Sequence, residues 1–246
     1  MSADELAASF GRVAAEYELA RPGWPEEALD VLGLARSAAV LDLAAGTGKL
    51  TRVLVRRFDR VIAVEPLAEM RELLERLVPK AEAVAGSATA IPVADGSLDA
   101  VFVAEAFHWF ATTGAVTEIA RVLRPGGVLA LLWNRSEDDF DPPPPEAFWK
   151  LFHEHTVEKP PEQSSRSGLW RTVFPGPFEP LREAAFPNEL VVDRDGMVAH
   201  ICSWSIVAAL PEAERHRLRA GLTAIAPPGR YRLGLRTELF WTRLAA

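Results

Sequence analysis

A short glycine-containing segment near residue 45 constrains the fold of this chain more than any other part of it. Val40, Leu41 and Leu43 form an apolar run suited to a buried parallel strand, and Gly46 and Gly48 then let the backbone turn sharply. The residues that follow are suited to a helix. A strand, a tight turn and a helix in this order leave free N–H groups at the helix N-terminus, so the segment predicts a ligand-binding turn.

Three kinds of ligand-binding turn share this outline, and the spacing separates them. A phosphate-binding P-loop needs glycine at position 43 and Ser or Thr at position 50, where this chain has Leu43 and Leu50. A dinucleotide fingerprint that starts at Gly46 would place its third small residue at Thr51. Asp42, at the end of the first strand, would repel a pyrophosphate, but its carboxylate can accept hydrogen bonds from a cationic or polyhydroxylated ligand. A positively charged sulfonium nucleoside fits that description.

The same segment resembles the first motif of the class I S-adenosylmethionine-dependent methyltransferases, which runs acidic-x-Gly-x-Gly-x-Gly. Asp42, Ala44, Gly46 and Gly48 occupy its four fixed positions, and Thr47 lies between the two glycines. Ala44 departs from the family pattern, which implies a slightly different approach to the methionine part of the cofactor. The resemblance implies that these five residues bind S-adenosylmethionine.

A second buried strand, residues 60–65, ends in the carboxylate of Glu65. An acidic side chain at this point of an α/β sheet can hold both hydroxyls of a ribose, so Glu65 is predicted to bind the cofactor ribose; the alternative is an exposed carboxylate in a turn. Pro66 beside it is included in the predicted cofactor site. Met70, on the next helix, is predicted to lie against the adenine, although a Met at helical spacing more often belongs to the core.

The ends of the third and fourth strands complete the predicted site. In the resembling family an acidic residue usually contacts the adenine amino group at the position of Ser87, where a hydroxyl can accept the hydrogen bond without charge assistance. Ala88 and Glu105 are the remaining predicted cofactor contacts. His108 follows the fourth strand, where the resemblance implies the reacting methyl group. Its aromatic neighbours favour an orienting or packing role, and a general base is the alternative.

The first 25 residues are predicted to cover the cofactor. Residues 3–19 carry apolar side chains about one helical turn apart, which predicts an amphipathic helix leading into a proline-rich connection. This part resembles the small-molecule branch of the family, the type 11 and trans-aconitate methyltransferases, in which a similar segment lies over the cofactor. The resemblance implies that Tyr17 and Arg21 lie near the methionine carboxylate, where a guanidinium suits bidentate contact. The alternative is a surface helix with a solvated arginine.

The order of the remaining elements predicts one α/β domain over residues 1–246. Five strands alternate with helices up to about residue 133, which requires a parallel sheet covered by helices on both faces. The resemblance implies a Rossmann-like sheet of seven strands, mostly parallel, with the last strand antiparallel. Residues 134–180 are rich in proline but also in aromatic side chains, which favours a lid over disorder. A sixth strand at 181–192, a helix from Asp193 to Ala209, a helix from Pro211 and a last strand at 231–243 are expected to follow.

Composition bounds the class of protein. The chain has 246 residues with 49% hydrophobic content, enough for a substantial core. A net charge of −7 disfavours a nucleic-acid partner, the single Cys202 cannot form an internal disulfide, and no apolar run approaches the length of a membrane span. We therefore expect a cytoplasmic protein, monomeric or weakly dimeric, with neither a membrane partner nor a metal site.

These features together predict an enzyme that transfers a methyl group from S-adenosylmethionine to a small molecule, such as a carboxylate- or hydroxyl-bearing metabolite. Two alternatives stay open. A nicotinamide-dependent oxidoreductase is disfavoured by Asp42 and Thr51. A cofactor-binding protein without turnover is allowed by the departures at Ala44 and Ser87.

Overall fold

A seven-stranded sheet is the centre of the computed structural model, which describes residue 18 and residues 21–136, 139–156, 165–174 and 176–245. In chain order its strands are β1 (Ala39–Leu43), β2 (Arg60–Val64), β3 (Glu82–Val84), β4 (Leu98–Ala104), β5 (Leu123–Ser136), β6 (Arg182–Asp193) and β7 (Arg230–Arg243). They lie side by side in the order β3-β2-β1-β4-β5-β7-β6. Tyr17 and nearly all of the predicted N-terminal cover fall outside the described residues.

The strand directions follow from the connections. The five strands from β3 to β5 are mutually parallel, and in their register Leu41 lies opposite both Ile62 and Val101. Strand β7 is antiparallel to β5 on one side and to β6 on the other. Parallel neighbours need a crossover connection, usually a helix, and helices follow β1, β2 and β4, whereas residues 85–97 connect β3 to β4 without one. The predicted mostly parallel sheet with an antiparallel last strand is confirmed.

Helices cover both faces of the sheet, as predicted. In chain order the described helices are α1 (Glu27–Asp30), α2 (Thr51–Arg57), α3 (Ala68–Leu77), α4 (Phe107–Phe110), α5 (Thr113–Val122), α6 (Glu146–His155), α7 (Arg194–Cys202), α8 (Ser205–Ala208) and α9 (Glu212–Ile225). Because side chains alternate along a strand, Leu41 and Leu43 of β1 pack with α5 on one face, whereas Val40 packs with α1 and α2 on the other. Both faces of β1 are therefore buried.

The segment after β5 contributes to two different cores. Phe148 and Phe152 of α6 are buried in a separate apolar cluster with α7, α9 and the first half of β7. Short 3₁₀ turns at Ser165–Ser167 and Leu169–Val173 follow. The second turn carries Trp170, which is buried in the main core beside Trp133. The insertion also starts later than expected, because β5 continues to Ser136.

Two predicted boundaries were wrong. Asp193 caps its helix as expected, accepting a hydrogen bond from the Gly196 N–H at 2.8 Å, but this helix ends at Cys202 instead of Ala209. There the Ser203 hydroxyl bonds back to the His200 carbonyl at 2.6 Å, which offers the backbone an alternative to continuing the helix. The sequence pattern predicts the fifth strand at residues 128–133, but β5 begins at residue 123, because Leu123 pairs with Leu98 of β4 and the Gly126 N–H donates to the Leu244 carbonyl beyond β7.

Candidate active site

Several predicted site residues, among them Asp42, Glu65 and Glu105, lie at the carboxyl ends of the central parallel strands. The strand order reverses at β1, because β2 lies on one side of it and β4 on the other. Ligands of open α/β sheets bind in the crevice that forms at such a reversal. The residues just after β1, β2 and β4 therefore have the position that a ligand site requires.

The turn after β1 has three residues with left-handed backbone, at Ala44 (φ 58°), Gly46 (φ 58°) and Gly48 (φ 86°). The two glycines are needed for different reasons. A Cβ on Gly46 would meet nothing within 4 Å, so this side of the turn faces open space that a ligand can use. A Cβ on Gly48 would lie 2.9 Å from Cγ2 of Val78, the residue after α3, so close packing against this helix excludes a side chain at position 48. Ala44 holds a conformation that costs an L-residue about 1–2 kcal/mol.

Asp42 is fully buried at the end of β1. Its Oδ2 accepts a hydrogen bond of 2.6 Å from the Thr51 hydroxyl. The pKa of Asp42 is raised to about 7, mainly by burial; the Thr51 hydrogen bond lowers it, and the nearby carboxyl group of Glu65 contributes to the increase. A cationic group that approaches this carboxyl would favour its ionised form.

Glu65 joins the end of β2 to the glycine turn. Its Oε2 accepts a hydrogen bond of 2.8 Å from the Gly46 N–H, and its Oε1 accepts one of 3.0 Å from the Leu67 N–H. Burial raises its pKa, although both backbone hydrogen bonds lower it. The side chain is only 5% exposed, unlike the solvated turn carboxylate that was the alternative. Each oxygen keeps a second lone pair with which it can accept from a ligand hydroxyl.

Glu105 directly follows β4 and has a left-handed φ of 56°, a strained conformation of the kind that concentrates at functional sites. Its Oε1 accepts a hydrogen bond of 2.7 Å from the Asn134 N–H on β5. Burial raises the pKa of Glu105, and the positive charge of Arg21 opposes this most strongly. Arg21 also donates from Nη2 to the Ser203 carbonyl at 2.9 Å, so it lies between Glu105 and the end of α7.

A charged cluster that the sequence analysis missed lies beside the turn. The carboxylate of Glu18 accepts hydrogen bonds of 2.5 Å from the Thr47 hydroxyl and from the Arg52 guanidinium. Lys49 lies 3.7 Å from the same carboxylate, and burial lowers the pKa of this lysine while Glu18 raises it. Two basic residues one helical turn apart, directly after the glycines, were the available signal for this cluster.

The remaining predicted cofactor residues differ in exposure. Met70 and Ala88 are buried, Ser87 is half-buried and Pro66 is exposed. The Ser87 hydroxyl lies 3.3 Å from that of Thr89, so it already has a polar neighbour.

His108 lies on α4, directly after β4. The Trp133 indole N–H donates to its Nδ1 at 3.3 Å, and the Trp109 ring centroid is 4.7 Å from its own. When Nδ1 of a neutral imidazole accepts a hydrogen bond, the ring proton is on Nε2. A ring in this tautomer can donate from Nε2, whereas a general base needs an unprotonated nitrogen; the orienting role stays a prediction.

The described residues contain neither a candidate metal site nor a candidate membrane span. No group of three or more His, Cys, Asp or Glu side chains in this part of the chain could hold a metal ion. Its helices are also too short or too polar to cross a bilayer.

Comparison with known proteins supplies independent observations. Residues 41–131 match the family described as Methyltransferase domain. A methyltransferase-like protein of Schizosaccharomyces pombe, itself uncharacterized, is 36% identical over 224 residues, which are 89% of this chain and 86% of the yeast protein. An uncharacterized methyltransferase of Mycobacterium tuberculosis is 48% identical over 134 residues, but this match spans only 54% of the chain and 55% of the relative.

A more distant relative and a solved structure extend over most of the chain. The demethylmenaquinone methyltransferase of Renibacterium salmoninarum is 27% identical over 90% of each sequence. A solved structure from Anaeromyxobacter dehalogenans, provisionally described as a type II methyltransferase, superimposes with a TM-score of 0.65 at 24% identity and covers 92% of this chain and 98% of its own. This likeness concerns the fold.

Proposed function

We propose, from the premise that the chain belongs to the class I S-adenosylmethionine-dependent methyltransferase family, that it binds S-adenosylmethionine and methylates a small molecule. Membership of this family rules out the alternative of a nicotinamide-dependent oxidoreductase. The observation that carries the proposal is the pair of buried carboxyl groups of Asp42 and Glu65 beside the turn whose Gly46 faces open space, with the half-buried Glu105 just after the neighbouring strand β4. Buried acidic groups suit a cofactor that carries positive charge.

The residues present fit this cofactor. Glu65 is placed to accept hydrogen bonds from ribose hydroxyls while it holds the Gly46 N–H. Asp42 and Glu105 offer negative charge to the cationic part, and Arg21 offers a guanidinium to the methionine carboxylate, together with Tyr17 by family resemblance. When bound, S-adenosylmethionine supplies a methyl group on a sulfonium, which is an excellent leaving group. The protein's own contribution is therefore alignment and exclusion of water rather than strong acid–base chemistry.

The acceptor is proposed to be a carboxylate- or hydroxyl-bearing metabolite that lies beside His108. With its ring proton on Nε2, His108 can donate a hydrogen bond to an acceptor oxygen and so orient it. A small acceptor is supported by the demethylmenaquinone methyltransferase among the relatives. We expect the protein to act in the cytoplasm as a monomer or weak homodimer, with neither nucleic acid nor membrane as partner.

Titration calorimetry with S-adenosylmethionine tests the cofactor assignment. Glu65→Gln keeps the size of the side chain but removes its charge, so losing charge-assisted hydrogen bonds worth roughly 1.5–3 kcal/mol should weaken binding about ten- to a hundredfold. Glu69→Gln, an exposed carboxylate on α3, is the matched control and should bind like the parent. Unchanged affinity in a folded Glu65 variant would remove the ribose role.

Turnover needs a separate measurement. Incubation with labelled S-adenosylmethionine and a broad panel of metabolites should transfer label to an acidic or hydroxylated acceptor. Tight cofactor binding with no transfer to any compound would instead support the alternative of a binding protein without turnover. The predicted cover over residues 3–24 is tested by hydrogen exchange, because equal protection of residues 10–21 with and without cofactor contradicts it.

A further inference from the structure

A cavity of about 840 Å³ lies on one face of the sheet where β5, β7 and β6 run side by side. Arg135 of β5 and Arg236 of β7 are directly opposite each other in the strand register. Glu238 and Phe240 follow at alternate positions of β7, so all four side chains share this face. The 3₁₀ turns at residues 165–173 form the other wall. The volume lies within the usual range for small-molecule sites.

The charge of the cavity is opposite to that of the whole chain. Four guanidinium groups line it, those of Arg135, Arg166, Arg171 and Arg236, against the two carboxylates of Glu183 and Glu238. This local excess of two positive charges occurs in a protein of net charge −7. Arginine is also the residue best suited to bidentate contact with carboxylate and phosphate groups.

Two of these arginines are held in place by their neighbours. The Arg171 guanidinium lies over the rings of Trp170 and Phe240, 4.9 and 4.4 Å from their centroids, where cation–π attraction fixes it. Arg135 donates to the Ser165 hydroxyl at 2.7 Å and to Oε2 of Glu238 at 3.1 Å. Each uses only part of the five N–H groups of its guanidinium in these contacts. A ligand would therefore meet cations that are already ordered.

We propose that this cavity binds a small organic dianion, a dicarboxylate or a phosphate monoester, through its arginines. The excess of two positive charges matches a doubly charged ligand. The inference does not rest on the proposed methyl transfer, because none of the cavity residues is among the predicted cofactor residues.

Calorimetry on the full chain tests the site with succinate and glycerol phosphate as probes and acetate at equal ionic strength as the singly charged reference. Both dianions should bind, about tenfold tighter than acetate. Arg166→Gln and Arg236→Gln should each weaken dianion binding about tenfold, since both side chains are solvent-exposed and their replacement should spare the fold. Arg232→Gln, on the same strand but outside the cavity and paired with Glu189, is the matched control and should bind like the parent.

A variant that improves binding gives the sharpest test. Glu183 is a well-exposed acidic side chain of the lining, so Glu183→Gln should raise the positive excess and tighten dianion binding about threefold, an effect that mere damage to the fold would not produce. Saturating S-adenosylhomocysteine should leave these affinities unchanged. The proposal is overturned if dianions bind no tighter than acetate, if both arginine variants keep full affinity, if Glu183→Gln brings no gain, or if S-adenosylhomocysteine displaces the dianion.

Discussion

Replacing Ala44 by glycine should stabilise the protein, although the substitution removes a methyl group. Ala44 has a φ of 58°, a conformation that costs an L-residue about 1–2 kcal/mol. Glycine avoids this cost but loses more backbone entropy on folding, roughly 0.4–1 kcal/mol relative to alanine. The Ala44 methyl is only half-buried, so little apolar area is lost. The balance is a stabilisation of about 1 kcal/mol, which for a chain of this size raises Tm by roughly 2–4 °C.

The adjacent alanine provides the control. Ala45 is buried against Ala63 and Leu74 and does not have the left-handed φ of its neighbour. Ala45→Gly should therefore lose about 0.8 kcal/mol for the methyl group and a further 0.5–1 kcal/mol for the backbone entropy of glycine. Calorimetric melting and urea unfolding of both variants should give changes of opposite sign. If Ala44→Gly destabilises the protein as much as Ala45→Gly does, backbone strain is not what distinguishes position 44.

Three further predictions concern the same end of the sheet. Gly46→Ala should destabilise the fold only by the left-handed strain of about 1–2 kcal/mol, yet it should remove cofactor binding. Gly48→Ala should destabilise the fold more, because its Cβ would lie 2.9 Å from Val78. Binding and melting measurements on both variants separate loss of binding from loss of stability. Burial raises the pKa of Asp42 from 3.8 to about 7 in the folded state, so the folded protein keeps a proton that the unfolded chain releases above about pH 4. The free energy of unfolding should therefore fall by about 1.4 kcal/mol per pH unit between about pH 4 and 7. Asp42→Asn should flatten this slope, which urea unfolding at pH 5 and 8 measures. His108→Gln should keep turnover within about tenfold, and a thousandfold loss with unchanged cofactor affinity would show that it acts as a base.

Local patterns in the sequence were sufficient for the first five strands. Four of them contain an apolar run bounded by turn residues, and residues such as Leu41 and Val101 are buried as that pattern requires, whereas β3 has only three residues and no buried side chain. Glu65 could be found in the same way, because its role depends on where its strand ends. The family resemblance supplied the antiparallel direction of the last strand but not its place, since no local signal says that β7 inserts between β5 and β6.

Other features depend on contacts between residues far apart in sequence. Glu18 meets Thr47 across 29 positions, and the cavity arginines come from segments on either side of residues 137–164. The left-handed backbone at Glu105 could not be predicted, because a Glu rarely adopts it and its hydrogen bonds to β5 join residues far apart in sequence. The helix ends near Ser203, where the serine hydroxyl bonds to the His200 carbonyl; the sequence alone does not say whether a serine makes such a bond or faces solvent within a continuous helix.

The place of β7 in the sheet has a consequence for biosynthesis. This strand is made after every other described strand, yet it occupies the gap between β5 and β6 and pairs with both along most of their length. Until it leaves the ribosome, β5 and β6 each present an unpaired edge, and such edges are templates for pairing with other chains. Nascent chains that stall before Arg230 should therefore depend on chaperones for solubility, and the sheet should close only when synthesis of β7 is complete.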